Sequence, residues 1–284
     1  DDEATALSSL AGQYAQRGDV ELAVAEGLLA VQLQTRLGAG LARAGALLNL
    51  AVAQVSLYAL RDALQTLQQV HEAAASLPGV GAELACIAQD TESELWLRAH
   101  QPQRAAAALQ ALPTEGVSAP RELGRQAQQA RVLQALGQHT EAQAMWQQVL
   151  QAPPGALPVL RAQLLAVQAL GPQAAPHLPP LLAAARAAPL AYQALACWVQ
   201  ADMAWRQGDA PAALAAAQAL SELLPRARHT LLPEADARRW LLLLRRRLGP
   251  AQAAQAERIA LRAWRRQVLV PALRQLSLAL SPAG

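Results

Sequence analysis

Turn-like sites recur along this chain at near-regular intervals, and that recurrence limits the fold more than any other feature. At Gly18, Gly137, Gly171, Gly208 and Gly249 a glycine closes one apolar-periodic run, and Asp, Gln or Pro opens the next. Gly suits a helix C-terminus that needs a left-handed residue, and Asp or Pro suits the helix start that follows. Tyr58 and His100 fill the same slot in two stretches without the Gly. Anchored on these seven residues, the spacings are 40, 42, 37, 34, 37 and 41. Five residues after each anchor stand Ala23, Ala63, Ala105, Ala142, Pro176, Ala213 and Ala254. Seven before it stand Ala11, Ala51, Ser93, Ala130, Leu164, Ala201 and Leu242, and twelve after it Ala30, Val70, Leu112, Val149, Ala183, Leu220 and Leu261. Small residues at matched sites let two antiparallel helices approach closely, so each interval reads as one helical hairpin in a stack.

Composition agrees. Ala (69) and Leu (52) supply about two-fifths of the 284 residues, Phe is absent, and β-branched residues are too scarce for an all-β fold. With 53% apolar residues the chain is not disordered. Cys86 and Cys197 cannot form a disulfide framework. All 24 basic residues are Arg, which reads as the codon bias of a GC-rich genome. The least charged stretch, 162–201, carries too many Pro residues for a membrane helix. With no leader segment in view, a cytoplasmic protein without a membrane partner is expected.

The hairpins are expected at about 3–17 and 20–36, 39–57 and 60–76, 81–99 and 102–112, 120–136 and 140–151, 156–170 and 173–187, 190–207 and 210–224, and 232–248 and 250–267. The fifth, with Pro176, Pro179 and Pro180, should be the least regular. Pro271 should end or kink the last repeat helix, and residues 268–280 should form a terminal cap over the last apolar face. The expected architecture is all-α: a right-handed superhelix (α-solenoid) of about seven antiparallel helix pairs with a C-terminal capping helix, treated as one repeat domain over 1–284.

The pattern resembles the tetratricopeptide repeat. Leu10, Ala11, Tyr14, Gly18, Ala23 and Ala30 fall where that family places its large, small, aromatic, turn and small residues. Gly137, Ala142, Trp146 and Pro154, then Gly208, Ala213 and Pro225, repeat parts of it. The spacings above 34 look like the longer repeats of large bacterial transcription activators of the maltose-regulon type. The resemblance implies a non-catalytic scaffold that binds a protein, a peptide or a regulatory effector, as the sensory part of a bacterial transcription regulator.

Motifs for chemistry are lacking. His71, His100, His139, His177 and His229 are scattered, and neither Cys has a paired partner, so no metal site is expected. Without Lys a phosphate-binding loop lacks its cation, and no Ser sits in a Gly-x-Ser-x-Gly turn. Asp90, Glu94 and Arg98 follow one another at i+4, as an ion-pair ladder does. No enzyme activity and no cofactor are expected.

Helix stacks of this kind present the first helix of each pair on the concave side. The family's groove positions fall on Asp90, Glu94, Arg98, Arg131, Gln134, Arg161, Gln168, Trp198, Asp202, Trp205, Arg206, Asp236, Arg239 and Arg246. Trp198, Asp202, Trp205 and Arg206 share one helix face and suit an anchor pocket; the two indoles equally suit packing between repeats. A second surface gathers Arg238, Arg245, Arg247, Arg262, Arg265 and Arg266, which would suit nucleic acid or a solvated helix end. The first 142 residues carry a net −6 and the rest +9, so head-to-tail self-association is a further expectation.

Overall fold

The computed structural model describes residues 2–17, 19–110, 119–153, 155–224 and 234–280. The anchor Gly18, the interior position Leu112 and the helix-ending Pro154 and Pro225 lie outside the described residues. Among the described residues there is helix and no strand. The pairs are α1 (Asp2–Arg17) with α2 (Val20–Leu37), α3 (Gly40–Ser56) with α4 (Leu60–Ala75), and α5 (Gly81–Arg98) with α6 (Pro102–Gln110). They continue with α7 (Ala119–Ala135) and α8 (His139–Gln151), α9 (Leu157–Leu170) and α10 (Leu178–Arg186), α11 (Leu190–Arg206) and α12 (Ala210–Leu223), then α13 (Glu234–Leu248) and α14 (Ala251–Trp264). A π turn, Arg265–Leu269, leads into α15 (Val270–Leu280).

The anchors explain why each pair turns where it does. Gly137, Gly171 and Gly208 have positive φ, and so do the non-glycines Tyr58 (φ 60) and His100 (φ 58). The closing hydrogen bonds are the same at each regular turn. Tyr58 N–H donates to Val55 O (3.1 Å) while Ala59 N–H reaches Gln54 O (2.9 Å). His100 and Gln101 repeat that pair on Leu97 and Trp96, as Gly208 and Asp209 do on Trp205 and Ala204. These are the paired bonds of a left-handed helix stop. At the start of α12 the Asp209 side chain accepts from Ala212 N–H at 3.0 Å, a cap for one orphan donor. Gly249, by contrast, does not adopt positive φ.

The two left-handed non-glycines should respond oppositely to glycine. His100 is exposed, so His100→Gly is expected to relieve backbone strain and stabilise the fold by roughly 0.5–1 kcal/mol in urea unfolding. Tyr58 is 3% exposed. Its ring meets Trp264 edge-on at 5.4 Å and carries Arg98 over its face at 5.2 Å. Tyr58→Gly is therefore expected to destabilise by about 3 kcal/mol, because the lost ring outweighs the same relief.

The matched small residues sit where the helices meet. Ala23, Ala63, Ala105, Ala142 and Ala213 are buried, as are Ala11, Ala51, Ser93, Ala130 and Ala201. The fifth pair departs from this register. A 3₁₀ segment, Gly171–His177, precedes α10, so Pro176 and Ala183 are exposed, and Ala174, Leu178, Leu181 and Ala185 supply the core instead. Four prolines in the ten residues 171–180 favour that tighter start, because each lacks a donor.

Successive first helices also touch one another, from α1 through α3, α5, α7 and α9 to α11, and α1 meets α11. The first helices thus make an inner layer. The C-terminal end differs from expectation. Pro271 does not end the helix. Val270 N–H donates to Arg265 O across the π turn just before it, and that wider turn accommodates a ring that would otherwise strike the preceding carbonyl. Nor does α15 cover the last pair, where Ile259 stays 59% exposed. Instead α15 packs on α4. Trp264, Leu269, Ala272 and Leu276 join the same apolar cluster as Tyr58, Leu60, Leu67 and Val70. That cluster buries the apolar face of α15.

Candidate functional site

The inner layer brings side chains from distant repeats together. Glu94 of α5 lies between Arg98, one helical turn on, Arg131 of α7 and Arg161 of α9. Arg98 Nε donates to it at 2.9 Å, Arg131 is hydrogen-bonded to its other oxygen, and Arg161 stands at 3.5 Å. Burial alone would raise the Glu94 carboxyl, but Arg131, Arg98 and Arg161 together hold it well below the usual carboxylate range. Gln128 Oε1 accepts from Arg131 at 2.9 Å, and Gln128 Nε2 reaches Ser93 Oγ at 3.4 Å.

Asp90 lies one turn before Glu94, yet its environment is opposite. No hydrogen-bond donor reaches its Oδ1 among the described residues. Burial pushes its carboxyl up to about 6, with Arg125, Arg121 and Arg161 limiting the rise. The expected three-member ladder is thus a two-member pair, Glu94 with Arg98, joined by arginines from two later repeats.

A second polar group centres on Asp202 of α11, itself 6% exposed. Arg206 pairs with one oxygen at 2.7 Å, Gln168 Nε2 approaches it at 3.4 Å, and Trp240 Nε1 donates to the other at 3.2 Å. Trp240 was not among the expected site residues; its indole ties α13 to α11 and completes the set.

Among the described residues, two cavities are walled by side chains of the inner layer. One, of ≈ 440 Å³, is bounded by α3, α5, α7 and α9, with Asp90, Glu94, Arg98 and Arg161 in its wall. The other, of ≈ 580 Å³, has Arg98, Arg131, Gln134, Gln168, Trp198 and Asp236 in its wall. Trp146 and Tyr58 also line the larger one; the first was read only as a repeat-framework aromatic and the second only as a turn residue. Arg98 and the Glu94 cluster form the partition between the two spaces.

The two indoles of the expected anchor face are unequal. Trp198 is 8% exposed and its Nε1–H has no acceptor among the described residues, as is true of Trp146 at 2%. An unmet buried donor costs about 1–3 kcal/mol. Trp205 is half-buried against the core, with Arg247 over its ring at 5.8 Å. Trp198 and Trp205 therefore both pack with the core, and of the two Trp198 lines the larger inner cavity.

Of the expected basic surface, Arg245 is withdrawn: it is 7% exposed and donates to Gln218 Oε1 at 2.7 Å. Arg238 is half-buried, whereas Arg247, Arg262, Arg265 and Arg266 are exposed, as are Arg239 and Arg246, which were assigned to the groove. Neither Arg239 nor Arg246 lines either inner cavity.

Among the described residues no group of three His, Cys, Asp or Glu side chains is placed to hold a metal ion, and no helix is long and apolar enough to cross a membrane. The chain matches no protein-family model, and no curated protein matches it.

Proposed function

We propose that this chain is a non-catalytic binding scaffold that takes its ligand on the inner layer of first helices. The observation that supports this is convergence. Arg98, Arg131, Gln134, Gln168 and Trp198, from four successive first helices, border a single cavity of ≈ 580 Å³. That size is within the usual range for ligand sites. On this reading the tetratricopeptide-like stack is the effector-sensing repeat domain of a bacterial transcription regulator. Partner contact on the same inner layer is its output.

A photo-crosslinking amino acid at Gln134, which is exposed and borders the cavity, should trap an adduct in cells of the native host. The same group at Gln147, exposed on α8 away from the cavity, should trap none. Equal trapping at both positions, or none at Gln134, counts against the inner layer as the binding face.

A second reading, nucleic-acid binding, draws on the exposed Arg239, Arg246, Arg262, Arg265 and Arg266 of the last hairpin and π turn. It calls for duplex affinity that falls steeply with salt, and for Arg262→Ala with Arg266→Ala to flatten that slope by about two. Fluorescence anisotropy with a labelled duplex at two salt concentrations measures both, and absence of binding at low salt excludes this reading.

A further inference from the structure

We infer that a further groove, on the face of α5 opposite Asp90 and Glu94, binds an extended peptide segment of no net charge through its backbone. This goes beyond the inner-layer reading and does not depend on it. The groove has a volume of ≈ 710 Å³ and draws its lining from α4, α5 and α6. From α5 come Gly81, Ala85, Gln89, Glu92 and Trp96, which recur every three or four residues as one stripe. At about 100° per residue that stripe faces away from Asp90 and Glu94. Ala74 and Ala75 of α4 and Ala107 and Ala108 of α6 flank it. At 1.5 Å per residue the stripe is roughly 22 Å long, the length of about six or seven residues of extended chain.

Small side chains alone would make only a furrow; Gln89, at the middle of the stripe, makes it a site. Gln89 is 6% exposed. Its amide nitrogen and oxygen bond to nothing among the described residues, yet neither is sealed from solvent as the Trp146 and Trp198 nitrogens are. Buried polar side chains are left without a partner only rarely. The amide carries a donor and an acceptor side by side. In an extended chain the N–H and C=O of one residue point to the same side, as when two antiparallel strands exchange a pair of hydrogen bonds. Gln89 is placed to meet both, standing in for a neighbouring strand. A helical guest would leave it unmet, because helix N–H and C=O groups already bond to one another.

Charge sets the rest. With His71 counted neutral at pH 7, Glu92 and Arg104 sum to zero in the lining. Glu92 is already engaged, accepting from Trp96 Nε1 at 3.1 Å and standing 3.6 Å from His71 Nε2. Arg104 lies over the Trp96 ring at 4.8 Å. No surplus charge is left to draw a nucleic acid, and a neutral guest with small apolar side chains matches both the balance and the alanines.

The probe is a displayed library of random heptapeptides, selected on the whole chain and depleted on Gln89→Leu. That substitution replaces an unpartnered buried amide with an apolar group of similar size, so its melting temperature should equal or exceed that of the wild type. Clones that survive depletion are made as end-capped, fluorescein-labelled peptides and titrated by anisotropy. Dissociation constants of about 1–100 μM are expected, weakened about 10-fold or more by Gln89→Leu. Ala107→Trp, at an exposed position in the groove, should block binding and leave the fold intact. N-methylation of one central peptide residue should weaken binding about 10-fold, whereas N-methylation of the residue on either side, whose N–H points away, should change it little. Four results overturn the proposal: depletion removes every clone, the surviving peptides bind Ala107→Trp as tightly as wild type, N-methylation is tolerated at every residue, or the bound peptide gains helical circular dichroism. None of these bears on the inner-layer reading, which crosslinking at Gln134 tests separately.

Discussion

Glu94→Gln is expected to cost about 3–5 kcal/mol of stability at neutral pH, the largest effect of any single polar substitution in the inner layer. Arg98, Arg131 and Arg161 all pair with this one carboxylate. An amide of the same shape keeps the volume and removes the countercharge, so the guanidinium groups of Arg98, Arg131 and half-buried Arg161 repel across the joint between the third, fourth and fifth pairs. The sign with pH follows from the direction of the shift. Glu94 titrates below its ordinary value in the folded chain, so its contribution is complete above about pH 4.5 and is lost as pH falls through the folded value. The gap between wild type and Glu94→Gln in urea unfolding should therefore be wide at pH 7 and close under acid. Adding Arg131→Met to the variant should recover part of the loss, because it removes one of the unpaired charges. A loss under about 1 kcal/mol at pH 7 would mean that the cluster is ornamental.

Asp90→Asn, one turn earlier on the same helix, should act in the opposite direction and stabilise the chain by about 2 kcal/mol at pH 7.5. The Asp90 carboxyl is pushed up to about 6 from an ordinary 3.8, chiefly by burial. A carboxyl raised in the folded state costs stability wherever it must ionise. The cost is complete above pH 6, shrinks as the pH falls toward 4, and is absent below that. The wild type should therefore become more stable between pH 7 and pH 5, while Asp90→Asn stays flat over the same interval. Urea midpoints at three pH values measure this, and parallel curves for the two proteins would show that Asp90 is well solvated after all.

These two carboxylates show how far residue spacing reaches. The i+4 relation of Asp90, Glu94 and Arg98 places all three on one face and is silent about what faces them. Repeat register holds more. Glu94, Arg131 and Asp202 each stand six residues before their anchors, His100, Gly137 and Gly208. Equivalent positions in adjacent repeats meet across the inner layer, so the Glu94–Arg131 contact was accessible from alignment alone. Arg161 stands ten before Gly171 and joins the cluster from a different turn of its helix, which alignment does not indicate. The hairpin boundaries were legible for a similar reason. A left-handed stop leaves a glycine or a tolerated substitute in a fixed slot, and Tyr58 and His100 occupy it with the glycine's own backbone geometry. The return of α15 to α4 was not legible, because a helix with Leu269, Leu273, Leu276 and Leu280 carries an apolar face without an address. Trp240 was missed because its partner, Asp202, lies on another repeat, and tryptophan in a helix gives no sign of where its N–H will find an acceptor.

The seating of Trp264 against Tyr58 joins residues about two hundred positions apart in a fold whose other contacts are mostly between neighbours. During synthesis the second hairpin leaves the ribosome long before the segment that covers it exists. The early hairpins must then wait with Tyr58, Leu60 and Leu67 only partly sheltered until α15 arrives. A stack of repeats usually frays inward from either end, one unit at a time. Here α15 clasps the second unit, so loss of α15 would loosen the α3–α4 hairpin as well as its own surroundings.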